Sequence, residues 1–252
     1  MTQPSEWLDA APLVIAHRGA SAAAPENTLP AFEEAVRRGA DAVELDAKCS
    51  RDGVVVCFHD RTLVRTTGAA GTVGGETLAE LRRLDAGGWK DPSFRGVGIP
   101  TLSEVLEAVG QRLLVNVELT DYWADQGKLV DAVVTVVREH GLGHRVLLSS
   151  FQSKALVAAE AKAPEVARAH LVGPTWLAYR DRLALRRAHV QAVHPHESLA
   201  LPARIDAIHR AGQRVHVYTV DEPERMMRLW DSGVDGLITD VPELALAARS
   251  KA

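Results

Sequence analysis

Two histidines stand directly after apolar runs that have the composition of buried strands. His17 follows residues 13–16, and His59 follows residues 54–58. In a parallel barrel, the side chains that close the strands meet at one rim, where catalytic groups are found. Imidazole titrates near neutral pH, so two histidines facing one substrate can act as general base and general acid. A lone histidine is more often held by backbone groups, but the pair favours a catalytic role for both.

Three carboxylates occur in two other apolar runs. Glu44 and Asp46 are two residues apart in the run 42–46, so both side chains lie on the same face of a strand. Two acids on an inward face repel each other and need a cation. Glu118, in the run 113–118, adds a third carboxylate. Oxygen ligands of this kind bind hard cations, so we predict one Mg²⁺ or Ca²⁺ ion on Glu44, Asp46 and Glu118.

The elements that would position these residues alternate along the chain, with short β-branched runs followed by stretches of helical period. This alternation is typical of a parallel sheet and predicts an α/β fold, a single (β/α)8 TIM barrel over residues 1–252. The predicted strands number nine, so one pair must be a hairpin or share a unit: Leu13–Gly19, Ala42–Ser50, Val54–Asp60, Leu113–Thr120, Val146–Phe151, Arg168–Val172, Ala192–Pro195, Val215–Val220 and Gly236–Thr239.

Eight helices are predicted between these strands: Thr28–Arg38, Ser103–Val109, Lys128–Glu139, Lys154–Ala161, Leu177–Ala188, Ala203–Ala211, Pro223–Asp231 and Pro242–Ala248. Residues 61–100 interrupt the alternation. They hold eight glycines and two prolines and only one helical pattern, Leu78–Leu84. That is too long for a simple connection, so we predict a small insertion over the barrel mouth.

Composition narrows the class of protein. Of 252 residues, 46% are apolar and 25% charged, which is globular composition. A net charge of -4 without a basic stripe disfavours a nucleic-acid partner. The sequence has neither a signal-peptide pattern nor an apolar run of membrane-spanning length, so we expect no stable membrane insertion and a cytoplasmic location. Cys49 and Cys57 are interpreted as buried free thiols.

Ordered motifs along most of the chain resemble the glycerophosphodiester phosphodiesterase family. The matching residues are His17-Arg18-Gly19, Pro25-Glu26-Asn27-Thr28, Ala31-Phe32, Gly39-Ala40-Asp41, Glu44-Leu45-Asp46, Asp52-Gly53-Val54, His59-Asp60, Arg65-Thr66-Thr67-Gly68, Ile99-Pro100-Thr101-Leu102, Glu104-Val105-Leu106, Gly212 before Val215, Tyr218-Thr219-Val220, Gly233-Val234-Asp235-Gly236, Thr239-Asp240 and Pro242.

The resemblance implies a barrel with an insertion, a divalent cation, and hydrolysis of glycerophosphodiesters to glycerol 3-phosphate and an alcohol. It implies that a substrate hydroxyl attacks phosphorus and that water opens the resulting cyclic phosphate. It also implies individual roles, with His17 and His59 as the acid and base, Arg18 as a phosphate ligand, Glu26 and Asn27 near the phosphate and metal, and Glu44, Asp46 and Glu118 as metal ligands. Arg18 has the alternative of pairing with a carboxylate, and Asn27 that of capping a helix.

One departure from the family pattern bears on the phosphate site. The family has Glu-x-Lys where this chain has Glu118-Leu119-Thr120, so a lysine expected beside the phosphate is missing. Lys48 continues the alternation of Glu44 and Asp46 and is the candidate to supply the charge, although it could also lie beyond the strand in solvent.

Three functions follow from these observations. The first is cleavage of a small-molecule glycerophosphodiester such as glycerophosphocholine or glycerophosphoethanolamine. The second is cleavage of another phosphodiester, such as a lysophospholipid or a cyclic phosphate. The third is binding of a phosphodiester without turnover, because of the missing lysine. His194-Pro195-His196 resembles the His-x-His of zinc hydrolase barrels, but it closes a late strand, which disfavours a metal role. Tyr122, Trp123 and Trp176 follow strand ends, and no ligand is assigned to them.

Overall fold

Nine strands form one sheet in the computed structural model, which describes residues 5–9, 12–120, 126–174 and 187–251. Valine, isoleucine, leucine and alanine make up most of these strands, as expected where both faces of a sheet are covered. The strands are β1 (Leu13–Ala16), β2 (Ala42–Cys49), β3 (Val55–Cys57), β4 (Leu114–Leu119), β5 (Val146–Ser150), β6 (Ala167–Val172), β7 (Ala192–Pro195), β8 (Arg214–Val217) and β9 (Gly236–Thr239).

All strands except β3 are parallel and form a closed barrel. The order runs β1-β9-β8-β7-β6-β5-β4-β2, and the pairing of β1 with β2 closes it. The predicted (β/α)8 barrel is therefore confirmed. β3 pairs with β2 in the antiparallel direction, with Ala47 opposite Cys57, so residues 42–50 and 54–60 are the expected hairpin pair.

The helices of the described chain lie in the connections between strands, except for one before the first strand and one after the last. Three of them begin at a proline, the residue best suited to the first helical position. The α-helices are α1 (Glu6–Asp9), α2 (Leu29–Arg37), α3 (Val64–Thr67), α4 (Leu78–Leu81), α5 (Leu102–Val109), α6 (Gln126–Glu139), α7 (Ser153–Lys162), α8 (Pro202–Arg210), α9 (Pro223–Asp231) and α10 (Pro242–Arg249). The predicted helix Leu177–Ala188 falls mostly outside the described residues, as do Tyr122, Trp123 and Trp176.

The amino-terminal end of the barrel is closed by α1. Trp7 of this helix is 1% exposed and packs in the interior cluster with Leu13, Ile15 and Ile238. Its indole Nε1 donates to the carbonyl oxygen of Arg145 at 2.9 Å. This apolar plug leaves the opposite end of the barrel, where the parallel strands finish, as the open end.

The insertion over residues 61–100 has its own small core, which packs against β3. The prediction of a single helix there was wrong. The second helix, α3, has four residues, too few for a helical period to stand out in the sequence. α4 ends at Leu81 rather than Leu84, and a capping box between Thr77 and Glu80 fixes its start.

Both cysteines are free thiols, Cys57 buried and Cys49 half-buried. Within the described parts of the chain, no helix is long and apolar enough to cross a membrane. The cytoplasmic location stays a prediction.

Candidate active site

The first strand ends in a tight turn that aims two side chains at the open end of the barrel. Arg18 has a left-handed backbone (φ 55°), as does Gly19 (φ 83°). A Cβ atom on Gly19 would lie 2.5 Å from the backbone of Ala31, so only glycine fits there. His17 follows β1 directly, and its Nδ1 lies 2.6 Å from Oδ1 of Asp240. The turn therefore presents His17 and Arg18 side by side.

The three predicted metal ligands meet at the ends of β2 and β4. Asp46 stands opposite Glu118 in the sheet, and Glu44 stands opposite Asn116. One oxygen each of Glu44, Asp46 and Glu118 lies within 4.8 Å of the others, the one group of at least three potential metal ligands that the described residues contain.

A divalent cation fits this cluster. Glu44 is 4% exposed and Asp46 1% exposed. Oε1 of Glu44 has no hydrogen-bond partner among the described residues. Burial, together with the charges of Asp46 and Glu118, raises the pKa of Glu44 well above its ordinary value. A hard cation would neutralise this repulsion and give the buried oxygen a ligand bond.

Asn27 and Arg18 hold Asp46 in place. Asn27 Nδ2 donates to Oδ2 of Asp46 at 2.8 Å, and Nε of Arg18 lies 3.2 Å from the same oxygen. Burial acts to raise the pKa of Asp46, but Arg18, His59 and the Asn27 hydrogen bond together lower it. The alternative that Asn27 caps a helix is wrong, since Thr28 occupies the N-cap position of α2.

His59 reaches the site in a way that the sequence did not predict. Its strand, β3, runs antiparallel to the barrel strands, so His59 does not close a parallel strand as expected. β3 descends from the rim along β2 until the backbone N–H of Phe58 donates to the carbonyl oxygen of Asp46 at 2.9 Å. The descent brings His59 to the level of the carboxylate cluster, where its Nδ1 lies 2.7 Å from Oδ1 of Asp60.

Lys48 is buried rather than solvated. Its Nζ donates to the carbonyl oxygen of Thr120 at 3.0 Å and to the hydroxyl oxygen at 3.1 Å. Ala47 stands opposite Leu119, so the next residues along the two strands, Lys48 and Thr120, are neighbours. A lysine of β2 thus stands beside the position, directly after β4, where the resemblance places a lysine.

Five of the nine predicted site residues line one cavity of about 560 Å³ at the open end. The other four contact these residues or cluster with them: Glu26 bonds to Arg18, Asn27 to Asp46, and Glu44 and Asp46 join Glu118. The cavity is lined by His17, Arg18, Lys48, His59, Asp60, Arg61, Thr62, Glu118, Thr120, Phe151, Tyr218 and Thr219.

Three residues of the site had no predicted role, namely Asp240, Asp60 and Arg65. Asp240 contacts His17, and Asp60 contacts both His59 and Arg65. Each of the three belongs to one of the motifs that resemble the family, and that membership was the signal in the sequence that could have indicated a role. Asp240 is 223 residues from His17 in the chain, so spacing alone could not connect the two.

The two histidines of the motif His194-Pro195-His196 have their contacts outside the carboxylate cluster. His194 is buried, and its Nε2 lies 3.0 Å from Nδ1 of His216 inside the barrel. His196 contacts Ser198 at 2.9 Å. Neither belongs to the carboxylate cluster described above.

The model of the glycerophosphoryl diester phosphodiesterase family matches residues 17–244. That range contains every one of the nine predicted site residues. The chain belongs to this family. As a family member it is a hydrolase of phosphoric diesters.

Relatives and solved structures agree with the family assignment. A glycerophosphodiester phosphodiesterase of Caldanaerobacter subterraneus subsp. tengcongensis is 37% identical, over 92% of this chain and 95% of its own length. An Oleispira antarctica phosphodiesterase, solved with the product sn-glycerol-3-phosphate, has a TM-score of 0.89 and 35% identity, over 95% of this chain and 97% of its own. A glycerophosphodiester phosphodiesterase of Agrobacterium tumefaciens has a TM-score of 0.81 and 33% identity, over 94% of this chain and 99% of its own.

Proposed function

We propose that the protein hydrolyses small glycerophosphodiesters to sn-glycerol 3-phosphate and an alcohol, with one divalent cation and with His17 and His59 as the acid and base. One observation carries this proposal. A single cavity of about 560 Å³ is lined by both histidines, by Arg18 and Lys48, and by Glu118 of the carboxylate cluster. The product bound to the Oleispira antarctica phosphodiesterase supports the same substrate class.

Each histidine is oriented by a carboxylate through Nδ1. Asp240 contacts His17 at 2.6 Å, and Asp60 contacts His59 at 2.7 Å. An ionised carboxylate only accepts hydrogen bonds, so Nδ1 carries the proton in each pair and Nε2 is left for the substrate. One imidazole then takes the proton of the attacking hydroxyl, and the other gives a proton to the leaving oxygen.

The charges around the cavity suit a phosphoryl group. Arg18 and Lys48 would bind its oxygens, and Glu44, Asp46 and Glu118 would hold the cation. Bound there, Mg²⁺ or Ca²⁺ supplies stabilisation of the negative charge that builds up on phosphorus-bound oxygen. Arg18 is kept charged and fixed by Glu26, whose Oε1 accepts from its Nη1 at 2.9 Å.

The lining of the cavity favours a small substrate over a lysophospholipid. Among the lining residues, Phe151 and Tyr218 are the aromatic ones, and the others are polar or charged. An acyl chain needs a continuous apolar groove, whereas the described lining residues supply two aromatic side chains among charged and polar ones. Lys48 also favours an active enzyme over a protein that only binds the phosphodiester. Its ammonium group lies beside Thr120, the position at which the family lysine is missing.

The test is release of glycerol 3-phosphate from glycerophosphocholine, glycerophosphoethanolamine and glycerophosphoglycerol, with Mg²⁺, Ca²⁺ or EDTA present. We expect metal-dependent release that His17→Ala and His59→Ala abolish. His140→Ala is the matched control, because His140 contacts Ser103, which does not line the cavity. Lack of release from every diester with either cation, by a folded protein, would refute the proposal. Release of the head-group alcohol from lysophospholipids, without glycerol 3-phosphate from any of the diesters, would support the second function instead.

A further inference from the structure

We propose that Arg65, in the insertion, is a positioning residue that fixes both His59 and Arg18 for the reaction. The inference rests on the proposed function of these two residues. Arg65 lies on α3 and does not line the catalytic cavity. It therefore acts through the carboxylates that it contacts, and it gives the insertion a role beyond covering the barrel mouth.

The first of these carboxylates is Asp60. Nε of Arg65 donates to Oδ2 of Asp60 at 2.6 Å, and Nη2 donates to Oδ1 at 3.0 Å. The same Oδ1 accepts from Nδ1 of His59 at 2.7 Å. Both oxygens of Asp60 are thus held, so its side chain cannot turn away from the imidazole. The hydrogen bonds from Arg65, together with that from His59, lower the pKa of Asp60 to about 2, so Asp60 is an ionised acceptor near neutral pH.

The second carboxylate is Glu26. Nη1 of Arg65 donates to Oε2 at 2.8 Å, and Nη2 donates to Oε1 at 2.7 Å. Oε1 also accepts from Nη1 of Arg18 at 2.9 Å. The Arg65 guanidinium therefore donates hydrogen bonds to two carboxylates, Asp60 and Glu26. Asp60 in turn accepts a hydrogen bond from His59, and Glu26 accepts one from Arg18, and both of these side chains line the cavity.

The chemistry of this bridge requires arginine. Its planar fork offers five N–H donors at fixed angles, whereas lysine is a point charge with three rotating donors. Arg65 also separates two acids that would otherwise repel each other. Its guanidinium carbon lies 5.8 Å from the centre of the Trp89 ring, which packs against it from within the insertion.

The experiment compares Arg65→Ala and Arg65→Lys with Arg83→Ala, which removes an exposed arginine of the same insertion. We expect kcat of Arg65→Ala to fall roughly 10- to 100-fold, as when a group that orients a reacting side chain is lost. Arg65→Lys should recover little of it. Millimolar guanidinium should restore part of the activity of Arg65→Ala while leaving the wild type and Arg83→Ala unchanged. A fully active Arg65→Ala, or a loss that follows its melting temperature without rescue, would overturn the inference.

A second readout does not depend on activity. The ¹⁵N shifts of the His59 imidazole report which nitrogen carries the proton. We expect Nδ1–H in the wild type and a mixture of tautomers in Arg65→Ala. An unchanged His59 spectrum in that variant would overturn the inference even if no substrate were found. Lack of activity in the wild type, by contrast, would refute the proposed function alone.

Discussion

Lys48 of β2 places its Nζ 3.0 Å from the carbonyl oxygen of Thr120, the residue directly after β4 at which the family motif has a lysine. The two strands are neighbours in the barrel and run in the same direction. The ammonium group of Lys48 thus lies one strand away from the position at which the family motif has its lysine. If the proposed function holds, Lys48 supplies the positive charge beside the phosphate from β2.

Exchange of these two residues tests that relationship. We expect Lys48→Ala to lower kcat/KM roughly 10- to 100-fold, because it removes a charged hydrogen bond to the phosphoryl group. The double variant Lys48→Thr/Thr120→Lys should recover much of the loss, since it returns the cation from the other strand. Lys154→Ala, which removes an exposed lysine of α7, is the control. Equal kcat/KM in Lys48→Ala and this control would show that Lys48 has no part in substrate binding.

Periodicity was sufficient to predict the barrel, since alternating runs of period 2 and period 3.6 have few other solutions. It also predicted that Glu44, Asp46 and Lys48 share a face, which is a property of one strand. It could not predict which strand is the antiparallel one, because the three apolar residues of β3 read the same in either direction. The contact of His17 with Asp240 was likewise hidden, since only closure of the barrel brings its first and last strands together.

Removal of the cation should destabilise the fold as well as stop turnover. Binding to the native state at a hundredfold excess over Kd stabilises by about 2.7 kcal/mol, which for a chain of this size is a rise in Tm of roughly 5–10 °C. We expect Mg²⁺ or Ca²⁺ to produce such a rise in calorimetry after EDTA treatment. Glu44→Gln should abolish the rise, whereas Glu139→Gln on the exposed face of α6 should keep it. A wild-type Tm indifferent to both cations would count against a metal site on these carboxylates.

Asp240 should matter to catalysis through the orientation of His17. Asp240→Asn retains the shape of the side chain but replaces the ionised acceptor, so the imidazole loses its preferred tautomer. We expect kcat to fall roughly 100-fold, within the range assigned to general acid–base catalysis, with little change in KM. Ser21 also donates to Oδ1 of Asp240, at 2.9 Å, so Ser21→Ala is the control and should have a small effect. Similar kcat values for the two variants would contradict this role of Asp240.

The buried His194–His216 pair should make the barrel sensitive to acid. Burial lowers the pKa of His216 to about 4, against an opposing effect of Asp235. Burial and the neighbouring His216 and His170 lower the pKa of His194 well below its ordinary value. In the unfolded chain both histidines titrate near pH 6.5. Unfolding therefore takes up protons below that pH, and the free energy of unfolding must decrease as the pH falls from about 6.5 toward 4.

Urea denaturation between about pH 7.5 and pH 5 measures this effect, at up to about 1.4 kcal/mol per pH unit for each histidine. Most carboxylates stay ionised over that range, and the raised pKa of Glu44 contributes a slope of opposite sign that the wild type and the histidine variants share. We expect His194→Asn to reduce the slope, because one of the two coupled proton sites is gone, whatever its effect on stability at neutral pH. His140→Asn, outside the barrel interior, should leave the slope as in the wild type. A free energy of unfolding that stays constant below pH 6.5 would mean that the buried pair accepts protons without unfolding.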